Sequence, residues 1–258
     1  MRTLDFEKVS GQIEDFIREQ CAQAGKTNLV VGLSGGVDSS VTAALCVKAL
    51  GREHVSGYML PYRESSSASL DDAIEVAKHL QLFWRVMDIT AMADGYLKQH
   101  EPDASFLRIG NICARVRMCA LYDQSAKHNA LVAGTGNFSE LMVGYMTQYG
   151  DGGCAFEPLG NLYKTEVWQF AEFLNLPRNV IDKPPTADLW LGQTDEGELG
   201  LSYHELDAIL FQIYAESKSD SEILQSGTPP EQLRKVQQLI QTSEFKRKMP
   251  PIAEFQLC

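Results

Sequence analysis

An apolar segment that runs directly into a glycine-containing turn constrains the fold of this chain more than any other feature. Residues 28–33 read as a strand, Gly35 and Gly36 form the turn, and a helical pattern begins near Val37. This order places unpaired backbone N–H groups and the positive end of the helix dipole at one point. Glycines let those amides approach an anion closely. The sequence therefore predicts a phosphate-binding loop.

This loop carries a carboxylate where other phosphate loops carry a lysine. It matches neither GxxxxGKS/T nor GxGxxG, and it places Asp38 just after the glycines. A carboxylate beside phosphate is favourable when a divalent cation lies between them, and Mg²⁺ is commonly held by carboxylates plus phosphate oxygens. Alternatively, Asp38 only complements the helix dipole and Ser34 is a helix cap. The full SGGVDS after an apolar strand favours phosphate binding.

Composition restricts the class of protein. A chain of 258 residues can form one large α/β domain, which we expect to span residues 1–258. The net charge of −11 argues against a nucleic acid partner. No apolar run reaches membrane-spanning length, and residues 1–20 are too charged for a secretory signal, so we expect no membrane partner. The six cysteines, without a CxxC pair, are typical of reduced thiols in a cytoplasmic protein.

Strand and helix patterns alternate through the first half of the chain. Strands are predicted at 28–33, 54–60, 83–89 and 130–133, with helices between them, the last over 109–128. The alternation predicts a doubly wound parallel sheet with helices on both faces, and hence an α/β fold. Ligands of such sheets bind beyond the carboxyl ends of the strands, where segments 32–40 and 134–140 begin.

The rest of the chain reads as helical. An N-terminal helix carries an apolar stripe suited to core or subunit contact, and further helices are predicted over 163–174, 203–214 and 230–245. Residues 182–200 contain prolines, glycines and five acids and read as a long loop, which we interpret as a lid that closes over substrate or as an ordinary solvated loop. The acids Asp195, Glu196 and Glu198 are expected to form hydrogen bonds that hold the closed lid, or to contact substrate.

Several motifs together resemble one enzyme family. SGGVDS resembles the loop of the N-type ATP pyrophosphatases, which cleave ATP between its α- and β-phosphates and adenylate a substrate. Five more segments follow: GTGNFSE at 134–140, YGDGG at 149–153, YKTEV at 163–167, PTADL at 185–189 and FKRKMP at 245–250. In order and spacing they are similar to the single-domain, ammonia-dependent NAD synthetases.

The resemblance implies a reaction and its partners. Deamido-NAD, ATP and ammonia would give NAD, AMP and pyrophosphate through an acyl-adenylate, as the last step of NAD biosynthesis. The enzyme would use Mg²⁺ and form a homodimer with deamido-NAD near the subunit interface. Adenylation suits this chemistry because a carboxylate is a poor acceptor for an amine, so the protein mainly aligns reactants and neutralises phosphate charge.

The resemblance also implies roles for individual residues. Asp38, Lys164 and Asp151 are the implied catalytic residues, and Asp38 and Glu140 the implied metal ligands. ATP would be bound by Gly32, Leu33, Ser34, Gly35, Gly36, Val37, Asp38, Ser39, Thr135, Lys164 and Thr186. Deamido-NAD would be bound by Arg115, Asp151 and Lys246. Three positions depart from some family members, which have lysine, aspartate and histidine at Gln148, Ala155 and Phe245.

Simpler readings remain for these residues. Glu140 could be a helix-start acid, the threonines capping hydroxyls, Lys164 a solvated surface lysine, Arg115 part of a polar helix stripe and Asp151 a turn residue.

Other functions are also open: a tRNA-thiolating pyrophosphatase, which would need a reactive cysteine pair and a basic surface; a GMP synthetase subunit; and a non-catalytic nucleotide sensor. The combination of motifs favours NAD synthetase over all three.

Overall fold

A parallel four-stranded sheet lies at the centre of the protein. The structure is a computed structural model and describes residues 2–188 and 192–253. The strands are β1 (Asn28–Gly32), β2 (Val55–Met59), β3 (Phe83–Val86) and β4 (Ala130–Ala133), in the spatial order β3-β2-β1-β4. All neighbouring pairs are parallel. The chain winds outward from β1 to β3 and then returns to place β4 on the other side of β1, so the predicted doubly wound α/β fold is confirmed.

Helices precede, connect and follow these strands. Those up to β4 are α1 (Phe6–Gln23), α2 (Val37–Leu50), α3 (Ser67–His79), α4 (Thr90–His100) and α5 (Phe106–Lys127). Those after β4 are α6 (Phe138–Val143), α7 (Lys164–Phe173), α8 (Arg178–Ile181), α9 (Asp195–Leu199), α10 (Tyr203–Tyr214), α11 (Asp220–Gln225) and α12 (Pro230–Ser243). Single 3₁₀ turns occur at Arg52–His54 and Glu244–Arg247. None of the helices in the described ranges is both long and apolar enough to span a membrane.

The alternation of side chains along β1 explains why helices cover both faces of the sheet. Leu29 and Val31 are buried in an apolar cluster with α1, α2 and α7, whereas Val30 is buried in a second cluster with α4 and α5. Successive side chains of a strand point to opposite faces, so a strand that is apolar throughout must be covered twice. This arrangement leaves the carboxyl ends of β1 and β4 uncovered for the site.

A third apolar cluster is formed by the C-terminal helices. It contains side chains of α6, α9, α10 and α12, among them the fully buried Tyr203 and Leu210. Trp168 of α7 packs against this cluster and also against the cluster around α2. The C-terminal helices are thereby attached to the sheet through α7, and α10 brings Tyr203 to the carboxyl edge.

Two predictions from the sequence need correction. Residues 182–200 are not loop throughout, because the side chain of Thr194 accepts a hydrogen bond from the Gly197 amide and starts α9, whose Leu199 is buried in the third cluster. The predicted strand 83–89 ends at Val86. The apolar stripe of α1 packs against α2 of the same chain. Of the two roles predicted for this stripe, core contact or subunit contact, the structure therefore shows core contact. Leu189 of the PTADL motif, together with Trp190 and Leu191 in the middle of the proposed lid, lies outside the described residues.

Burial of α2 predicts a large cost for shortening one of its side chains. Leu45 is fully buried in the first cluster, and Leu45→Ala should lower the free energy of unfolding by about 2–5 kcal/mol because the cavity left behind cannot collapse fully. The measurement is urea denaturation followed by circular dichroism. Leu224→Ala on α11 is the matched control: its side chain is 40% exposed, so the cost should stay below about 1 kcal/mol. Equal costs would contradict the assignment of the core.

Candidate functional site

A cavity of about 540 Å³ opens at the carboxyl ends of β1 and β4. Strands β1 and β4 are neighbours in the sheet, so the loops that follow them lie side by side at this edge. Most of the residues predicted to form the site line the cavity. They are Gly32, Leu33, Ser34, Gly36, Val37, Asp38, Thr135, Glu140, Asp151, Lys164, Thr186 and Lys246.

The loop after β1 is shaped by its own hydroxyls and by one glycine. Ser34 Oγ accepts a hydrogen bond from the Gly36 amide (3.2 Å) and lies 3.0 Å from Ser39 Oγ. Gly36, not Ser34, is the N-cap of α2, so Ser34 is not the helix cap considered as an alternative. Gly35 has φ 77°, and a Cβ there would lie 2.1 Å from the Ser69 carbonyl oxygen. Gly35 and Ser39 are buried behind the loop and shape it without lining the cavity.

Lys164 lies between two carboxylates at the base of the cavity. Its Nζ is 2.5 Å from Asp38 Oδ2 and 3.0 Å from Glu140 Oε1, and its side chain is only 3% exposed. We call Asp38, Glu140 and Lys164 the carboxylate–lysine cluster. Lys164 is therefore not a solvated surface lysine. It is the first residue of α7, whereas Asp38 and Glu140 lie in the first turns of α2 and α6.

The electrostatics of the carboxylate–lysine cluster follow from its burial. Burial opposes the charged form of Lys164, but the carboxylates of Asp38 and Glu140 outweigh it and raise the pKa of Lys164 above its ordinary value. Burial raises the pKa of Glu140 to about 8, with Lys164 lowering it and Asp38 raising it further. The two carboxylates thus repel each other, and the ammonium holds them together.

Two neutral side chains support the carboxylate–lysine cluster, and sequence reasoning gave neither a role. Asn137, which is fully buried, donates from Nδ2 to Asp38 Oδ1 (2.8 Å) and accepts from the Glu140 amide, thereby capping α6. The ring of Tyr203 lies 5.1 Å from Lys164 Nζ, within cation–π range. The spacing of Asn137 and Glu140 is that of a capping box, a signal visible in the sequence.

The donor set at this point suits a hard divalent cation. Asp38 and Glu140 converge from separate loops onto one position, and both supply carboxylate oxygens, the ligands that Mg²⁺ prefers. Within residues 2–188 and 192–253, no group of three or more histidine, cysteine, aspartate or glutamate side chains is arranged to hold a metal. Mg²⁺ that is shared with substrate phosphates is usually held by one or two carboxylates.

The acids near α9 make hydrogen bonds on the far side of the carboxylate–lysine cluster. Asp195 is buried and accepts from the hydroxyls of Tyr145 (3.0 Å) and Tyr203 (3.2 Å). Glu198 accepts from Tyr145, and Glu196 accepts from the Tyr203 amide. The three acids thus form hydrogen bonds, and the expectation that they hold a closed lid or contact substrate stays a prediction. Tyr145 and Tyr203 connect α9 to the walls of the cavity.

Another part of the cavity wall is formed by the loop that follows α6. Asp151 accepts from the Thr147 amide (2.8 Å), and Lys246 donates to the carbonyl oxygens of Gly144 (2.7 Å) and Met146 (2.8 Å). Burial lowers the pKa of Lys246. The departures Gln148, Ala155 and Phe245 lie outside the cavity lining.

The arginine that lines the cavity is Arg117, which sequence reasoning did not select. It donates to the Leu60 carbonyl oxygen (3.0 Å) and to Ser65 Oγ (3.2 Å), and burial lowers its pKa. Arg115 instead is exposed on α5, beside a smaller cavity of about 150 Å³ with Arg108 and Tyr96. Two residues apart on a helix differ by about 200° in direction, so only one of the two arginines can face the cavity.

The chain is similar in sequence to known proteins over almost its whole length. The NAD synthase family model matches residues 9–250. The NH(3)-dependent NAD(+) synthetase of Fusobacterium nucleatum is 43% identical over 97% of both chains, and that of Wolinella succinogenes is 46% identical over 94% of both. The chain belongs to the NAD synthase family. It is thus an enzyme of the ligase class.

Solved structures of this family share the fold. An NMN synthetase from Francisella tularensis superposes with a TM-score of 0.88 at 30% identity, covering 98% of this chain and 100% of that one. An NH3-dependent NAD synthetase from Campylobacter jejuni, in complex with nitrate, superposes with a TM-score of 0.83 at 36% identity and the same coverage. Membership in the NAD synthase family therefore rests on both sequence and structure.

Removing the ammonium of the carboxylate–lysine cluster should destabilise the protein. Lys164→Met leaves Asp38 and Glu140 facing each other while buried, and we expect a loss of about 3–5 kcal/mol in the free energy of unfolding near pH 9, above the pKa of Glu140. Adding Glu140→Gln to this variant should recover part of the loss, because it removes one of the two like charges. Thermal and urea unfolding measure both effects. Additive losses in the double variant would contradict electrostatic coupling.

Proposed function

We propose that the cavity binds ATP, deamido-NAD and ammonia and that the chain catalyses the ATP-dependent amidation of deamido-NAD, giving NAD, AMP and pyrophosphate. The observation that carries this proposal is the position of the carboxylate–lysine cluster beside the glycine turn after β1. The naming of the curated relatives as NH(3)-dependent NAD(+) synthetases supports the nitrogen source. The catalytic unit that we propose is one domain over residues 1–258.

The first half-reaction needs alignment more than covalent chemistry. The carboxylate of the nicotinic acid ring attacks the α-phosphorus of ATP, and pyrophosphate leaves. Backbone amides of the loop from Gly32 to Ser39 and the N-terminus of α2 hold the phosphates, with Thr135 and Thr186 as further ATP contacts. Lys164 supplies positive charge where the leaving phosphates accumulate negative charge. Ammonia then attacks the acyl carbon and AMP leaves.

Asp38 and Glu140 are the residues that would hold Mg²⁺. When bound, Mg²⁺ neutralises phosphate charge and polarises the phosphoryl oxygens. Asn137 fixes the orientation of Asp38 through its 2.8 Å hydrogen bond, and Lys164 holds the two carboxyl groups close together. Such supporting contacts usually contribute strongly to metal affinity.

Deamido-NAD is assigned to the end of the cavity framed by Asp151 and Lys246. Arg117 adds a buried positive charge on the same wall, and deamido-NAD carries a pyrophosphate and a carboxylate that such a charge attracts. The departures at Gln148, Ala155 and Phe245 leave this part of the site with fewer of the family's side-chain contacts. We therefore assign Arg117 as an additional contact of this chain.

We further propose a homodimer formed through α4 and α5. Exposed apolar side chains occur on β3, α4 and α5, including Phe83, Met92 and Tyr96. Apolar surface of this kind is typical of subunit interfaces. Arg115 lies on the same side, exposed on α5 and away from its own cavity. In a dimer it could serve deamido-NAD near the interface, the role that the family resemblance gives it.

A cytoplasmic location also remains a proposal. Cys21, Cys46, Cys113, Cys119 and Cys154 are free thiols. Reduced cysteines are typical of cytoplasmic proteins.

The proposed reaction is tested by its products. Purified protein with ATP, Mg²⁺, ammonium and deamido-NAD should form NAD and AMP in equal amounts, measured by chromatography. Nicotinic acid mononucleotide should be a poorer acceptor, a comparison prompted by the similarity to an NMN synthetase. Asp38→Asn should lower the rate at least about 100-fold because it removes one metal ligand and the charge partner of Lys164. A preference for the mononucleotide, or full activity in excess chelator, would refute the proposal.

The dimer is tested by mass and by substitution. Light scattering should give about twice the chain mass of 28.7 kDa. Replacing both Met92 and Tyr96 with glutamate should give a monomer, because charges would be buried in the interface. Leu224→Glu, on α11, is the matched control and should leave the dimer intact. A wild-type protein that is a fully active monomer would contradict the proposal.

A further inference from the structure

Glu157 is a carboxylate in the wall of the cavity that none of the roles above uses. Its Oε2 accepts a hydrogen bond from the Gly136 amide (2.9 Å), and its Oε1 accepts from Cys154 Sγ (3.2 Å). No lysine, arginine or histidine of the described ranges forms an ion pair with it. Asp38 and Glu140, by contrast, are each paired with Lys164. Glu157 is therefore a carboxyl group of the cavity wall that has no cationic partner among the described residues.

The chain makes room for this carboxylate at the edge of the ATP site. A Cβ at Gly134 would lie 2.3 Å from Glu157 Oε2, and one at Gly136 would lie 3.2 Å from Oε1. Any residue larger than glycine at position 134 would displace the side chain. Between these glycines lies Thr135, which also lines the cavity. Glu157 thus lies next to a loop assigned to ATP, not in a remote part of the cavity.

The second half-reaction needs a group of this kind. Ammonium is the main form of ammonia near neutral pH, and it has no lone pair with which to attack a carbonyl carbon. A carboxylate without a cation can attract ammonium and accept a proton from it. Burial raises the pKa of Glu157 to about 7; the nearby Asp151 raises it too, and the Cys154 thiol and the Gly136 amide oppose this. A base is most effective when its pKa lies near the working pH.

We propose that Glu157 binds the incoming ammonium and removes one proton from it before the nitrogen attacks the acyl-adenylate. This inference rests on the proposed function. An N–H bond of ammonium breaks as an O–H bond forms on Glu157, and the freed lone pair makes the C–N bond. The C–O bond to AMP breaks with its electron pair on the phosphate oxygen. The second proton leaves the nitrogen to water, and Glu157 returns its own proton to solvent through the open cavity.

The substitution Glu157→Gln tests whether proton transfer by this side chain, and not only its size, matters for the reaction. Glutamine keeps the size of the side chain and an oxygen that can accept from the Gly136 amide, but it cannot accept a proton. With ammonium chloride near pH 7, kcat/KM for ammonium should fall about 100-fold. With hydroxylamine, a nucleophile that is largely neutral at this pH, hydroxamate formation should stay close to the wild-type rate. The deficit with ammonium should shrink as the pH rises, because free ammonia increases.

Three further measurements complete the test. Glu231→Gln, at an exposed position on α12, is the matched amide substitution and should behave as wild type. Glu157→Asp keeps a proton acceptor and should retain more activity with ammonium than Glu157→Gln. This second variant keeps the proposal testable if the glutamine variant folds poorly. Pyrophosphate release in the first turnover should be unchanged in Glu157→Gln, because adenylation precedes the proposed proton transfer.

The outcomes that overturn the inference are distinct. Unchanged kcat/KM for ammonium in Glu157→Gln would exclude a role for the carboxylate. An equal loss with hydroxylamine, or slower pyrophosphate release, would show that Glu157 only positions the loop around Thr135. Equal impairment of the aspartate and glutamine variants would exclude proton transfer. Failure of the proposed function would look different, since the wild-type protein would then form no NAD with either nucleophile.

Discussion

The ammonium of Lys164 between the carboxylates of Asp38 and Glu140 is the interaction on which the site depends. Each carboxylate belongs to a different helix, and the lysine to a third, so one contact joins α2, α6 and α7 at the edge of the sheet. Buried charges of this kind cost desolvation free energy that their mutual attraction must offset. The charged cluster is therefore already formed in the protein, as the proposed binding of phosphates at this point requires.

The sheet topology is what brings those charges together. Val31 of β1 pairs with Ala133 of β4, so the loops after the two strands start at the same height on one edge. The helix that follows each loop then presents its first-turn acid, Asp38 or Glu140, toward the space between them. A different strand order would separate the acids. The two acids lie close together because the chain, after forming β3, places β4 beside β1.

Much of the fold and part of the site could be predicted from the sequence, for physical reasons. Long apolar periods, such as those of α10 and α12, and the glycine turn after β1 are local signals, and the structure confirms the elements they predict. Helices of one or two turns, such as α9, contain too few residues for a period to show. The burial of Lys164 is invisible locally, because it depends on two acids that are distant in sequence.

The cavity-facing arginine illustrates a second limit. The choice between Arg115 and Arg117 depends on which face of α5 packs on the sheet, and both faces of this helix carry apolar residues. Local pattern alone therefore does not orient α5. Tyr203 was missed for a related reason, since its position depends on the packing of the C-terminal cluster against α7. In both cases tertiary packing, and not helix propensity, determines where the side chain lies.

The separation of the site residues along the chain also bears on how the protein folds. Lys164 meets Asp38 across 126 positions, whereas α2 follows β1 directly. Closing long loops costs chain entropy before any contact is gained, so local β–α units and their apolar faces should form first. The charged contacts would then form late, after the folding transition state. Substitutions among them should mainly speed unfolding and leave the folding rate little changed.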